Sequence, residues 1–416
     1  MVLSRSLLDV INTQGYVTTI EGPPGIGKTT LSLKACVSRG RCTYISYADP
    51  ESSIKAKLKV LGTESSINII NAMSGSVETV FSDLVNALQE GDLVIVDSLD
   101  AMFYGIESEK GIRAFLQLIY GSAKMKRGSL ALISEGLNPV AKQVRFVSDA
   151  IISMEFREIL GKPAREASLL KDRDFAIENR SYFLTWESGL KIIEPVFVDV
   201  GKKPRNVHSI KGPPETSFKY IIPNAYRVLT VFSNSIHPAI ADTIRQWVIA
   251  DFLKFGYGVN LLISSKSSEA SEKEALELMT GGKNMDKLNI ISINDPVVKK
   301  DSRKYYNTYK DMIKTGNYVN IVDLLAHEPL AVTDPSGYET FISDVTELEK
   351  ELRMSEALYG YQDYSSLRVI SKYVHMQWST EMVNGTLFYL TVKPDGPLYY
   401  IDADLEEGRA EFKKML

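Results

Sequence analysis

Nine residues near the amino terminus, Gly22-Pro23-Pro24-Gly25-Ile26-Gly27-Lys28-Thr29-Thr30, restrict what this chain can fold into more than any other stretch. They fit G-x-x-x-x-G-K-[ST], the pattern of a loop whose backbone wraps a phosphate. The preceding residues 15–20 read as a buried strand rich in β-branched side chains. Residues 29–37 read as a helix with Leu31, Ala35 and Cys36 on one apolar stripe. Glycines let the backbone approach an anion closely, and successive N–H groups with the helix N-terminus then face it. Lys28 adds a point charge for β- and γ-phosphates, and the Thr29 hydroxyl is a ligand for Mg²⁺. A Gly/Pro turn that binds nothing is the plain alternative, and the strand–loop–helix context argues against it.

Further strands bring acids to the same edge. Residues 42–47 read as a strand ending in Ala48-Asp49-Pro50-Glu51. A carboxylate at the carboxyl end of that strand can orient and deprotonate the water that attacks a γ-phosphate. Asp49 is the first candidate and Glu51 the second; alternatively Asp49 and Ser52 only cap a helix over 54–61. After a strand at 67–71 and a helix over 76–90, with Val80, Leu84 and Leu88 at helical spacing, four apolar residues run into Asp97. An unbroken apolar run suits a central parallel strand, and Asp97 at its end can hold Mg²⁺ through water. A helix over 111–126 precedes a strand at 130–135, whose Ser134 or Glu135 could meet a γ-phosphate. Residues 150–155, 164–173, 182–186 and 189–193 read as strands, the later ones an antiparallel extension of the sheet. On chemistry alone, Lys171 and Arg173 are two like charges on one side of a strand, an ordinary solvated face.

Taken in this order, the phosphate loop, the acid-ended second strand, residues 94–98, residues 132–135 and Lys171-x-Arg173 resemble RecA-like ATPases of the KaiC type over roughly residues 1–195. The resemblance implies Mg²⁺ and ATP as cofactors and a ring-forming homo-oligomer. It also implies that Lys171 and Arg173 act in trans on the γ-phosphate of a neighbouring subunit, alongside Lys28 and Asp49 as the catalytic set. One departure stands out: the family carries a Glu-Glu pair where this chain has Ala48 and Asp49. A single, shorter carboxylate implies slow hydrolysis or mainly binding. The overall layout also resembles the archaeal GvpD-like family of gas-vesicle regulators.

At 416 residues the chain is too long for one core. Its 44% hydrophobic and 24% charged residues are ordinary for a soluble globular protein, and no apolar run reaches the ~18 residues of a membrane span. No signal peptide is legible at the amino terminus. Cys36 and Cys42 read as buried thiols, so the expected location is the cytoplasm and no membrane partner is expected. Net charge is −4, which removes a global basic field for nucleic acid. Residues 201–223 read as a basic Pro/Gly linker, where Lys202, Lys203, Arg205, Lys211 and Lys219 against Glu215 give +4. Contact of that linker with nucleic acid is not the favoured reading. The four histidines lack metal-ligand spacing.

The second half repeats the order of the first: a strand at 227–232, a helix over 240–255, a strand at 259–264, a helix over 269–280, strands at 288–293 and 316–325. Its loop 233–239 has no glycine and no lysine, which makes Asp323 a relic or a helix cap. The aromatic stretches 359–364 and 373–378, with His375, read as core and hairpin packing. The expected fold is therefore α/β, two tandem RecA-like domains: an ATPase domain over 1–200, the linker 201–223, and a degenerate copy over 224–416. The expected function is a regulatory Mg·ATP-dependent ATPase. The rivals are a DNA-acting recombinase or helicase relative and a nucleotide-binding scaffold without turnover.

Overall fold

The computed structural model describes residues 5–62, 67–73, 77–89, 91–104, 108–136, 139–177, 180–186, 189–196, 209–211, 226–265, 269–404 and 409–415. The chain divides into two compact units, one ending at Pro195 and the next beginning at Val196.

The first unit runs α1 (Leu7–Ile11), β1 (Val17–Glu21), α2 (Lys28–Arg39), β2 (Cys42–Ser46), α3 (Glu51–Val60), β3 (Asn68–Asn71), α4 (Val77–Ala87), β4 (Leu93–Asp97), α5 (Leu99–Met102), α6 (Glu109–Lys126), β5 (Ser129–Ser134), α7 (Pro139–Val147), β6 (Ala150–Ile159), β7 (Lys162–Asp172), β8 (Ser181–Thr185) and β9 (Lys191–Ile193). The sheet order is β3-β2-β4-β5-β1-β6-β7-β8-β9. Strands β1 to β6 pair in parallel, and β6 to β9 are an antiparallel extension. Every residue of β1, β4 and β5 is buried, as a parallel sheet covered on both faces requires. One face takes Leu7, Leu31, Ala35 and Ile54 from α1, α2 and α3. The other takes Leu84, Met102, Leu116 and Val144 from α4, α5, α6 and α7.

The second unit begins with β10 (Ser209–Lys211) and β11 (Arg227–Phe232). It continues with α8 (Pro238–Lys254), β12 (Gly258–Ile263), α9 (Glu269–Thr280), β13 (Leu288–Ser292), α10 (Ser302–Met312), β14 (Tyr318–Asp323), α11 (Glu328–Thr333), α12 (Pro335–Leu352), β15 (Glu356–Tyr361), α13 (Leu367–Ile370), β16 (Met376–Val383), β17 (Thr386–Lys393), β18 (Leu398–Asp404) and β19 (Arg409–Lys414). Reversed, its sheet order reads β13-β12-β14-β15-β11-β16-β17-β18-β19, with β10 at the far edge. Strand for strand this is the order of the first sheet, with β11 in the place of β1 and β14 in the place of β4. The parallel-then-antiparallel pattern also repeats. The duplication read from the sequence therefore extends through strand β15 and the terminal hairpins, which the sequence reading left unassigned. In line with the core role read for the aromatic stretches, Tyr359 and Trp378 are buried, and Trp378 meets Tyr389 edge-on at 5.9 Å.

Two expectations change. Cys36 and Cys42 form a disulfide rather than two thiols. Cys36 lies in the last turn of α2 and Cys42 opens β2; the tight turn at Gly40 (φ 79°) brings their Cα atoms to 5.2 Å, inside the range a disulfide needs. This removes one ground for expecting a reducing compartment. Second, Ser209–Lys211, inside the stretch read as a linker, is a strand paired in parallel with β19. Lys202, Lys203, Arg205, Glu215 and Lys219 of that stretch lie outside the described residues. Among the described residues no helix is long and apolar enough to cross a membrane, and no cluster of three or more acidic, His or Cys side chains could hold a metal.

Candidate functional site

In the first unit the loop 22–27 leaves the carboxyl end of β1 and enters α2 directly. Its backbone is set by close packing. A side chain at Gly22 would collide with the Met154 carbonyl of β6, and a Cβ at Gly27 would stand 2.8 Å from the Trp186 ring. Gly27 caps α2 in the left-handed region, at φ 110°. The Arg165 guanidinium lies over the Trp186 ring, 4.3 Å from its centre. Gly22 N–H donates to the Ser134 carbonyl at 3.2 Å, tying the loop to β5.

Lys28 folds back onto the loop: its Nζ donates to the carbonyls of Gly22 at 2.6 Å and Pro23 at 3.0 Å. Burial lowers its pKa, while the Glu135, Asp97 and Asp100 carboxylates oppose that shift. Its ammonium thus occupies a concave backbone cradle amid acids. The Thr29 hydroxyl donates to Asp97 Oδ2 at 2.7 Å, and the buried Tyr44 hydroxyl donates to the same oxygen. Burial, then the Asp97 charge, pushes the Tyr44 phenol well up, so it stays a donor. A threonine hydroxyl beside a carboxylate is a hard-oxygen donor set of the kind Mg²⁺ takes.

The other predicted groups are placed differently. Asp49 follows β2 and is partly exposed, but Lys57 of α3 holds its Oδ2 at 2.5 Å. Glu51, in the first turn of α3, pairs with Lys55 at 2.6 Å. Ser134 is fully buried and its Oγ accepts from Gly136 N–H at 3.2 Å. Glu135 is exposed, and its own N–H donates to Asp100 Oδ2 at 2.8 Å.

Lys171 and Arg173 are not brought to the phosphate loop. Lys171 pairs in register with Ile151, and Ile151 with Thr19, two residues before β1 ends. Strand β7 is two strands from β1, about 10 Å across the sheet. The Lys171 ammonium donates to the Ser148 carbonyl at 2.6 Å; Arg173 pairs with the buried Asp149 carboxylate at 2.9 Å and donates to Tyr120. Asp149 also accepts from Val17 N–H at 2.9 Å and pairs with Lys124 at 2.8 Å. Both cations thus lie toward the amino ends of β1 and β6, the edge opposite the loop.

Sequence reasoning missed Tyr44, Trp186, Asp100 and the pair of Glu21 with Arg145, whose Nε donates at 2.8 Å. Only Glu21 carried a signal: an acid closing an apolar strand just before the loop.

In the second unit the equivalent of the loop is 233–237. His237 caps α8, its Nδ1 accepting from Ala239 N–H at 3.2 Å, and Pro238 at the first helical position has no N–H to offer. Asp323 ends β14 as Asp97 ends β4. It caps the following turn, accepting from Leu325 N–H at 3.0 Å, so the capping role holds. Its other partner is Arg245 of α8, at 2.9 Å. Where the first unit offers a hydroxyl beside the aspartate, the second supplies a resident cation.

No protein-family model matches the chain, and no curated protein matches it.

Proposed function

We propose that the first unit is a RecA-like, KaiC-type ATPase that binds Mg·ATP, turns it over slowly, and acts as a regulator through nucleotide-controlled assembly or partner contact. The observation that carries this reading is the conjunction at the carboxyl edge of β1 and β4: a glycine cradle, a buried Lys28 lying on it, and Thr29 hydrogen-bonded to Asp97. Backbone N–H groups of residues 25–30 bind the phosphates, and Lys28 exchanges its loop carbonyls for phosphate oxygens. Thr29 and Asp97 would hold Mg²⁺, which would supply neutralisation of phosphate charge. Asp49 takes a proton from the attacking water once Lys57 releases it. Lys171 and Arg173 reach a γ-phosphate only from a second copy of the chain, because their own loop lies across and along the sheet.

The ion pair of Lys57 with Asp49 favours a second reading, a nucleotide-binding scaffold whose base is held out of action. Labelled-ATP binding to Lys28→Ala tests the site itself: binding is lost, and retained micromolar affinity removes the assignment. ATPase rate and mass by light scattering over a protein concentration series separate the two readings. Specific rate that climbs with assembly supports turnover; tight binding with none at any concentration supports the scaffold.

A further inference from the structure

We infer that Cys36 and Cys42 are a reversible thiol–disulfide switch on the phosphate-loop helix. Oxidised, they clamp α2 to β2 and hold Thr29 and Tyr44 on Asp97; reduced, they release that clamp. The bond closes a circuit. From Thr29, α2 runs about two turns to Cys36. The disulfide crosses to Cys42, which opens β2. Two residues on, the Tyr44 hydroxyl donates to Asp97 Oδ2, and the Thr29 hydroxyl donates to the same oxygen at 2.7 Å. Cys42 also pairs in register with Leu93, so β2 and β4 run side by side from the clamp to Asp97. Covalent at one end and hydrogen-bonded at the other, the circuit fixes the spacing of α2 from β2. Reduction opens it at the sulfurs and leaves apolar packing and the two hydroxyl contacts to set that spacing.

Several observations separate a switch from a structural staple. The bonded cysteines are six residues apart, and so short a loop gains little from closure. The turn between them is tied without sulfur. Gly40 N–H donates to the Cys36 carbonyl at 3.0 Å, Leu93 N–H to the Arg41 carbonyl at 3.1 Å, and Arg39 Nε to the Gly91 carbonyl at 2.8 Å. Reduction therefore leaves the first unit folded and acts locally. Gly40 and Arg41 are exposed, and Cys42 behind them is 8% exposed where Cys36 is fully buried, so attack falls on Cys42. These are the two cysteines of the chain, and both sit in the unit that carries the loop; the matching turn of the second unit, Phe255-Gly256-Tyr257 between α8 and β12, has none. The reductant is a dithiol. One of its thiolates attacks Cys42 Sγ, a mixed disulfide forms, and Cys36 leaves as a thiolate that takes a proton. The second thiolate of the dithiol then displaces Cys42, which is protonated in turn. Two electrons pass to the protein and the dithiol departs as a disulfide. Glutathione disulfide reverses the exchange and departs as two glutathione thiols.

The effect on nucleotide rests on the phosphate site proposed for the first unit; the switch itself is read without nucleotide. In the full chain equilibrated with reduced and oxidised glutathione at set ratios, then trapped with maleimide-polyethylene glycol, both thiols should appear and vanish together in one transition. Hydrogen exchange at 29–33 and 43–46 should quicken roughly tenfold on reduction with dithiothreitol, with 130–134 unchanged. Cys36→Ala should exchange like the reduced parent, with or without dithiothreitol. Labelled-ATP affinity should fall several-fold in the reduced parent and in Cys36→Ala. Cysteines that stay free in the most oxidising buffer, a bond that dithiothreitol does not open in the folded chain, or exchange that reduction leaves unchanged overturns the switch; so does ATP affinity equal in the two states. No ATP binding in either state, with the exchange difference intact, removes the nucleotide site and leaves the switch standing.

Discussion

Thr29 Oγ1 lies 2.7 Å from Asp97 Oδ2, joining the first turn of α2 to the tip of β4. Asp97 is 6% exposed, and Tyr44 holds the same oxygen from below. On the proposed reading, a carboxylate fixed this way would hold a metal through water rather than by swinging toward it. Asp97→Asn keeps the shape and the Thr29 contact while removing the charge. Loss of such an outer partner typically weakens metal binding about 10–100-fold. The expected result is a Mg²⁺ midpoint for ATP turnover raised by that factor, with metal-free nucleotide affinity little changed. An unchanged midpoint in a Mg²⁺ titration would separate Asp97 from the metal.

Asp49 is the weakest member of the proposed catalytic set, and its pairing explains why. Lys57 and Asp49 make a partly exposed ion pair, worth about 0–1 kcal/mol, so it can open at little cost. Asp49→Asn is expected to retain ATP binding and lose turnover by about 10²–10⁴, the usual contribution of a general base. Lys57→Ala is expected to raise turnover, since it frees the carboxylate. Rates that respond to neither substitution would leave the base to another group.

Much of this site was legible because residue type and spacing dictate it. Glycines, lysine and threonine at fixed offsets between a β-branched strand and a helix have few other uses, and an apolar run ending in Asp97 completes the frame. Lys57 on Asp49 was not legible, because the pair bridges a loop and a helix and depends on the angle between them. Strand β15 escaped notice because Tyr359 and Tyr361 flank Gly360, a residue unfavourable in strands. The Cys36–Cys42 disulfide had a signal that went unused: two cysteines on either side of a helix-ending Gly40. Arg245 had one as well, a lone guanidinium inside a helix whose buried residues are mostly apolar, where burial demands acidic partners.

The position of Arg173 makes a specific demand. Within its own chain it compensates the buried Asp149, and Lys124 does the same, so Asp149 keeps a cation when Arg173 is removed. Arg173→Ala is therefore expected to fold with little loss of stability. If Arg173 serves a neighbour's γ-phosphate, turnover falls by about 10³–10⁵, the range for an arginine finger. Mixing Arg173→Ala with Asp97→Ala chains should then restore activity, because mixed assemblies contain some sites with both an intact metal site and an intact cation. Failure of the mixture to recover any rate, measured at a concentration where the parent assembles, would exclude action in trans.

Acid should loosen the second unit through His327. The ring is buried in a box of Tyr305, Tyr338 and Phe341, with Nδ1 3.2 Å from the Tyr338 hydroxyl and Nε2 without a partner. Burial, and then the nearby Arg227 charge, lowers its pKa from 6.5 to about 3. Between those values the unfolded chain binds a proton that the folded unit refuses. Stability from this group is therefore complete above pH 6.5 and declines as pH falls toward 3. The slope is about 1.4 kcal/mol per pH unit, and the total approaches about 5 kcal/mol. Arg227 itself is matched by Glu356, with Nε at 2.7 Å, and by Glu349, whose carboxyl pKa is raised by burial and then by the Glu356 charge; Glu349 takes up a proton on folding and so offsets part of the His327 loss where the two ranges overlap, a contribution common to the parent and to His327→Gln. His327→Gln keeps a polar group at the site and removes the titration. Denaturation of the second unit, followed by hydrogen exchange in α12 from pH 7 to pH 4, should show a steep acid loss in the parent and a flatter one in His327→Gln. Parallel curves would show that His327 does not control the acid limb.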